Sequence, residues 1–466
     1  VLALALLAGL GACAPVPRPP GAGAPPDETA RARFRDAHLA CDQGGNVYAA
    51  SAEIFEQSTQ IYFAASPDHG TTWGPAFSYL NTSRDGDRGR PQIATGRPGE
   101  VFVLWEDTRE GPRDLYFNRS LDAGATWLPR DVRVNTNPPG SSHLAGPRLA
   151  CDERGHVYAV WLDNREGFEA FYFNRSTDAG ATWLASDVRV TALALGLKSA
   201  PELACDRDGS VYVAWIERRG TQQHVVATSS SDGGSTWLVP EVELQGGGGA
   251  ESVALTALEP ATAVLSWLEA SRGRADVYRA RSTDRGRTWE GPTRVTTRVQ
   301  PLFDPSAPQL ARDRSDHVYI GWHAATAGGA ARLFLEHSED AGRSFAQTVI
   351  ERDQPIAALD RDGAARRQRF PFRMLADESG NIYFAWVEVR FGAIEIGFDR
   401  LADHGRSWLR LDHRLGLVGH APIDVEPPQL CADDFGHVYL LWNEGSALHV
   451  ATSPFYGDSG WRHEHL

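Results

Sequence analysis

The chain repeats one short unit eight times, and that repeat limits the fold more than any other feature. Two copies show it plainly: Leu149-Ala-Cys-Asp-Glu-Arg-Gly-His-Val-Tyr158-Ala-Val-Trp161 and Leu203-Ala-Cys-Asp-Arg-Asp-Gly-Ser-Val-Tyr212-Val-Ala-Trp215. The matching positions are Tyr48, Phe102, Tyr158, Tyr212, Val264, Tyr319, Tyr383 and Tyr439, between 52 residues (Tyr212 to Val264) and 64 residues (Tyr319 to Tyr383) apart. Each unit has room for four short strands. The first ends before an Asp-x-x-Gly turn such as Asp152 to Gly155, where Asp bonds the turn backbone and Gly takes a positive φ. The second is the Val-Tyr-x-x-Trp run, apolar enough for burial on both faces. The third carries aromatics such as Tyr116-Phe117 and Tyr172-Phe173, and the fourth follows the next turn, as at Val132-Arg-Val134. Four strands in each repeat of about 50 residues predict propeller blades. The expected fold is an all-β propeller of eight blades over residues 38–466, with seven blades and shared terminal strands as the alternative.

A second motif falls between the third and fourth strands of each unit. It reads Ser66-Pro-Asp68-His-Gly70-Thr-Thr72-Trp73, and full copies run from Ser120 to Trp127, Ser176 to Trp183, Ser230 to Trp237 and Ser282 to Trp289. Ser338 to Phe345 exchanges Trp for Phe, Leu401 to Trp408 lacks the first Ser, and a remnant surrounds Asp458, Gly460 and Trp461. This pattern resembles the Asp box of the sialidase superfamily, with Asp68, Asp122, Asp178, Asp232, Asp284, Asp340 and Asp403 as its structural carboxylates. In such a turn Asp accepts backbone N–H groups, Gly supplies a positive φ and Ser or Thr closes the loop. Seven of the 14 Trp fall in these turns and seven on the second strands. They are therefore expected in the core and not on a sugar-binding surface.

The chain carries a formal charge of −14, which argues against a nucleic-acid binder, since tracking phosphates needs a basic face. Val1 to Gly11 is an apolar run too short to span a bilayer, and it ends in Leu10-Gly11-Ala12-Cys13, which resembles a bacterial lipobox. Residues 1–13 are read as a lipoprotein signal with Cys13 acylated, and residues 14–37, rich in Pro, Ala and Gly, as a tether. That places the protein at the bacterial cell envelope, lipid-anchored and periplasmic or surface-exposed. Cys41, Cys151 and Cys205 share one Ala-Cys-Asp context and Cys431 lies in a related one, so buried thiols are expected in place of disulfides. No Cys/His pairing with metal spacing occurs and no EF-hand spacing supports calcium; no metal and no cofactor are expected.

On the face opposite the Ser-x-Asp-x-Gly turns, the second strands end in Trp-x-Asp/Glu, giving Asp107, Asp163, Glu217, Glu269, Glu388 and Glu444, with Glu53 in the first unit. Arg109, Arg165, Arg219 and Arg390 follow two residues later. Asp107 and Asp163 are ligand-binding candidates, weighed against acid–Arg pairs that only satisfy their own blade. Residues that break the repeat are the better candidates: Arg84 and Arg88 with Asp85, Asp87 and Arg90, the insertion carrying Asp360, Asp362, Arg366, Arg367 and Arg369, and His323, which replaces the usual aliphatic. A solvated charged loop is the plainer alternative for these.

The resemblance implies three arginines gripping a substrate carboxylate, a Tyr nucleophile activated by Glu, and an Asp acid/base. Its first Arg sits in a Phe-Arg-Ile-Pro motif. Here Phe34-Arg35-Asp36-Ala37 keeps Phe-Arg and loses Ile-Pro, so Arg35 is carried over, with Arg90 and Arg373 as further catalytic candidates near the starts of first strands. No Tyr–Glu pair is assignable. Two functions are expected: a non-catalytic platform that binds a glycan or protein ligand on its open face, or an exo-glycosidase of sialidase type acting on sialic acid or a related acidic sugar. A monomer is expected.

Overall fold

A computed structural model describes residues 33–55, 58–74, 78–141, 143–192, 196–244, 249–271, 274–296, 304–325, 331–350, 372–390, 393–409, 411, 413–420, 426–444 and 447–466. Cys13 and the segment 1–32 lie outside them, as do Asp360, Asp362, Arg366, Arg367 and Arg369. The described residues form eight separate antiparallel sheets in chain order, one per repeat. Among them there is no α-helix.

Blade 3 shows the plan: Ala145–Cys151, Val157–Asp163, Ala170–Ser176 and Val188–Arg189 pair in that order. The first strands of successive blades touch one another around the ring, and the first strand of blade 1, Arg33–Cys41, touches that of blade 8, Gln429–Ala432. The ring is thus an eight-bladed propeller with the first strands innermost. All four strands of blade 8 come from Gln429–His465, so no strand is shared at the closure and the seven-blade alternative falls. Blade 1 begins at Arg33, because Arg33–Arg35 pair with Ala52–Ile54, a few residues ahead of the boundary expected at 38.

Each second strand is sandwiched between two neighbouring blades, which explains its unbroken apolar run. Val101–Asp107 is buried at every position. One core cluster joins Phe102, Leu104 and Phe117 of blade 2 to Val157, Ala159 and Trp161 of blade 3, and similar clusters fill the other junctions. The turn Trp residues cap these layers from the edge. Trp127 meets Phe63 of blade 1 edge-on at 4.7 Å, Trp183 meets Phe117 at 5.0 Å and Trp237 meets Phe173 at 5.2 Å.

One face of the ring is made of two kinds of repeated turn. Between first and second strands, Asp42, Asp152, Asp206, Asp313, Asp377 and Asp433 each accept the hydroxyl of the Tyr six residues on, at 2.6–3.4 Å. Between third and fourth strands, the Ser66 hydroxyl donates to Asp68 Oδ1 (2.9 Å) and accepts the Gly70 N–H (2.8 Å), while Asp68 also accepts the Thr72 N–H and hydroxyl. The same network recurs at Asp122, Asp178, Asp232, Asp284 and Asp340. Hydrogen bonds from Thr126 and Ser120 hold the Asp122 carboxyl below the usual range. Glycine is required in this turn: Gly180 has φ +80, and a Cβ there would lie 2.5 Å from the Phe117 ring. In blade 8 the register differs from the expected remnant. Ser453, Tyr456 and Gly457 occupy the turn, with Phe455 where Asp would stand, and Asp458 pairs instead with Arg400.

The four described cysteines are free. Three of their thiols donate to a carbonyl of the preceding blade's first strand: Cys41 to Ala432, Cys151 to Thr95, and Cys205 to Cys151. Burial pushes the Cys151 thiol up to about 12 and raises the Cys205 thiol well above its ordinary value, so these two serve as inert seams between blades.

Candidate functional site

The opposite face, where second strands lead into third and fourth strands lead into the next blade, opens onto the central axis. Strand register sets which side chains line it. His38, Gln92, Arg148, Glu202, Ala254, Gln309, Arg373 and Gln429 pair with equivalent positions of their second strands, Ala50, Leu104, Val160, Ala214, Ser266, Gly321, Ala385 and Leu441. Seven of these eight are polar, and all are half-buried. They meet across the ring: Arg373 of blade 7 acts electrostatically on Arg148 of blade 3 and on His38 of blade 1. Burial, reinforced by Arg373 and Arg148, lowers His38 to about 4, so it is neutral at pH 7. Arg148 pairs with Glu202 at 3.2 Å, and His38 Nε2 lies 3.3 Å from the Gln92 amide.

Above this belt, at the mouth, the repeat is broken. The position after the second-strand Trp is apolar in most blades, but it is Glu106 in blade 2, His323 in blade 6 and Asn443 in blade 8. Glu106 Oε1 accepts Arg90 Nη1 and the Gly146 N–H, both at 3.2 Å, while Arg113 Nε lies 3.4 Å from Oε2. Burial holds Glu106 above the usual carboxylate range, against the pull of Arg90 and Arg113. Across the seam, Glu426 accepts the Asp36 N–H (2.9 Å) and the Asn443 amide (3.1 Å), and Asp36 Oδ2 accepts the Arg90 N–H (3.2 Å). First strands bulge here, with positive φ at Asp36, Arg90 and Gly146. Bulges of this kind re-aim side chains at the ends of strands.

The resulting arc spans blades 8, 1 and 2 and is asymmetric in exposure. The side chains of Arg35, Arg90 and Arg113 are 47%, 50% and 51% exposed, whereas that of Glu106 is 4% exposed. Cations face the solvent and the anion that fixes two of them is buried. In a chain of net charge −14 the most exposed charged heads of this arc are its three arginines, with Asp36, 33% exposed beside Arg35, and Glu426 as its other carboxylates.

The remaining sequence candidates are engaged elsewhere. Arg88 is fully buried, donating to Asp107 and to the carbonyls of Ser83, Asp85 and Gly86, so the loop folds around its guanidinium. Asp107 also accepts the Trp105 indole and Arg109, and Arg109 reaches Asp131 and stacks on Tyr116 at 3.9 Å. Asp163 repeats this with Arg165, Asp187 and Tyr172. Arg84 lies over the Tyr79 ring at 5.7 Å, and His323 stacks on Phe372 at 4.6 Å. Arg35 and Arg90 come together at the mouth and Arg373 lies in the belt. Sequence reasoning missed His38, Arg148, Glu202, Glu106, Arg113 and Glu426. The signal for the belt was present: a Pro precedes Gln92, Arg148, Glu202, Gln309 and Gln429.

No protein-family model and no curated protein matches the chain. Among solved structures it is similar to an intramolecular trans-sialidase from Ruminococcus gnavus, at 16% identity and TM-score 0.41, covering 63% of this chain and 90% of that one. It is similar to an ulvan lyase of polysaccharide lyase family PL25, at 11% identity and TM-score 0.45, covering 82% and 94%. It is likewise similar to an α-L-arabinanase from Penicillium chrysogenum, at 16% identity and TM-score 0.40, covering 72% and 97%. At these identities and scores the likeness extends to no residue and no reaction.

Proposed function

We propose that the protein is an exported, lipid-anchored propeller that binds an anionic ligand, a carboxylate-bearing glycan, in the mouth of its central channel as a non-catalytic platform. The carrying observation is the arc of Arg35, Arg90 and Arg113, whose heads face solvent while Glu106 is buried beneath. Guanidinium groups suit a carboxylate because their planar forks donate two parallel hydrogen bonds. Below them Arg148 and Arg373, with three Gln amides, extend the recognition surface toward hydroxyl-rich parts of a sugar. The proposed anchor at Cys13 adds a peripheral membrane contact.

The retained Phe34-Arg35 dipeptide favours a second reading, an exo-glycosidase of sialidase type, since it brings Arg35 to the mouth. Hydrolysis of a fluorogenic sialoside, run beside glycan-array binding, separates the two. Binding of acidic glycans without turnover, lost in Arg90→Ala and Arg373→Ala, supports the platform. Turnover lost in the same variants establishes the enzyme, and absence of both binding and turnover overturns the anionic-ligand reading.

A further inference from the structure

On the face away from the mouth, two blade junctions each gather two histidines and an aspartate. At the ring seam, Asp433 of blade 8 has His437 Nδ1 at 3.0 Å and His69 Nδ1 of blade 1 at 2.8 Å from Oδ2. At the junction of blades 6 and 7, Asp313 Oδ2 has His317 Nδ1 at 2.7 Å and His404 Nδ1 at 3.7 Å. In each trio the candidate ligand atoms all lie within 4.8 Å of one another. We propose that these trios are two copies of one site for a divalent transition metal of the zinc class, which clamps neighbouring blades together.

The two sites are built by the same rule. The blade before the junction supplies Asp-x-x-x-His from its first turn. The blade after it supplies His at the second variable position of its Ser-x-Asp-x-Gly turn or the equivalent. Blade 3 also has Asp152 and His156, but blade 4 offers Gly233 where the third ligand would stand. Only the turns of blades 1 and 7 carry His there, and both follow a blade with the Asp-x-x-x-His pair.

The surroundings hold the imidazoles in place. His69 and His404 both have φ 57, a left-handed backbone fixed by N–H bonds to the carbonyls of Gly45 and Gly380. A Cβ on Gly45 would lie 2.1 Å from the His69 ring and one on Gly380 2.4 Å from the His404 ring, so glycine leaves the space the rings fill. Asp433 Oδ2 is also crowded. It faces the Tyr439 hydroxyl at 2.7 Å as well as both imidazoles, three contacts for two lone pairs. A metal relieves this by taking the imidazole nitrogens and the carboxylate as its own ligands, with the Tyr439 hydroxyl still bonded to the carboxylate; in the second trio the Tyr319 hydroxyl lies 3.1 Å from Asp313 Oδ2 and 3.0 Å from His404 Nδ1.

Two imidazoles and a carboxylate suit zinc, copper or nickel more than calcium or magnesium, and the half-exposed position leaves room for water as fourth ligand. Metal–nitrogen bonds of about 2.0–2.1 Å in a tetrahedron put ligands about 3.4 Å apart. The carboxylate–imidazole separations are 2.8 and 3.0 Å at the seam and 2.7 and 3.7 Å at the other junction, so ligation takes shifts of about half an ångström. Both junctions are those least supported by the chain. Among the described residues no covalent link crosses the seam, and the stretch between the strands of blades 6 and 7, residues 351–371, is the longest in sequence between consecutive blades.

The test is titration of tag-free, chelator-stripped full chain with zinc chloride, followed by calorimetry and by the shift in Tm. Two equivalents are expected, with a metal-dependent rise in Tm. His69→Ala and His404→Ala should each lose one equivalent, and the double variant both. These variants should fold, because Ala123, Ala179 and Ala341 hold the same turn position in other blades. The histidine cluster of blade 8, exposed His463 and His465 with half-buried His449, supplies the control: His463→Ala with His465→Ala should retain both equivalents. Absence of stoichiometric binding, or equivalents that vanish with His463 and His465 and not with His69 and His404, would overturn the proposal.

Discussion

The two faces of the ring use their charges in opposite ways. On the turn face the carboxylates of Asp68, Asp122, Asp178, Asp232, Asp284 and Asp340 repeat one network, and each satisfies hydrogen-bond donors of its own blade. At the mouth the charged groups differ from blade to blade, and those of blades 8, 1 and 2 interlock across junctions. A feature repeated from blade to blade serves the blade. Recognition of one ligand needs a single asymmetric place, and asymmetry enters where the repeat fails.

The largest effect expected from breaking the shared architecture is at the second-strand Trp. Trp161 is fully buried between blades 2 and 3, so Trp161→Ala should cost about 3–5 kcal/mol, read as a lower denaturant midpoint. A smaller effect, about 1–2 kcal/mol, is expected for Asp178→Ala, which strips the Ser176 and Thr182 hydrogen bonds from one turn. Ligand binding at the mouth should survive this change; if it does not, the two faces are not independent.

A pH titration sharpens the contrast from the other side. His38 is held neutral by burial and by Arg373 and Arg148 down to about pH 4, whereas in the unfolded chain it takes a proton near its ordinary value of 6.5. The unfolded state therefore binds more protons across that window, and stability should fall as pH drops from 6.5 toward 4. His38→Gln, the residue found at three equivalent belt positions, should flatten that decline in urea melts at several pH values. An unchanged slope would remove His38 from the channel's electrostatics.

The fold was legible because both repeats were dense and in phase: the Val-Tyr-x-x-Trp strand fixed the blade core and the Ser-x-Asp-x-Gly turn fixed its edge. Blade number followed from counting, although closure without a shared strand is visible only in the pairing of Gln429–His465. The site was half legible. Arg90 and Arg373 could be singled out from their places near the starts of first strands, and Arg35 from the Phe34-Arg35 dipeptide. Glu106 could not, since its neighbour Asp107 carried the repeated pattern and drew attention to a buried, self-satisfied carboxylate. His38, Arg148 and Arg373 come from blades 1, 3 and 7, and only ring closure brings them into one channel. The histidine trios stayed hidden for the same reason: His69 and Asp433 are 364 residues apart in sequence.

The most direct test is calorimetric titration with sialyllactose, or another carboxylate-bearing oligosaccharide identified by array, of the native chain, Arg90→Ala, Arg373→Ala and Asp178→Ala. Loss of a charge-assisted hydrogen bond should weaken binding about 10- to 100-fold in each Arg variant, with affinity also falling as salt rises. Asp178→Ala should bind as the native chain does. Equal binding by all four proteins, or binding lost only with Asp178→Ala, would contradict an anionic-ligand site at the mouth.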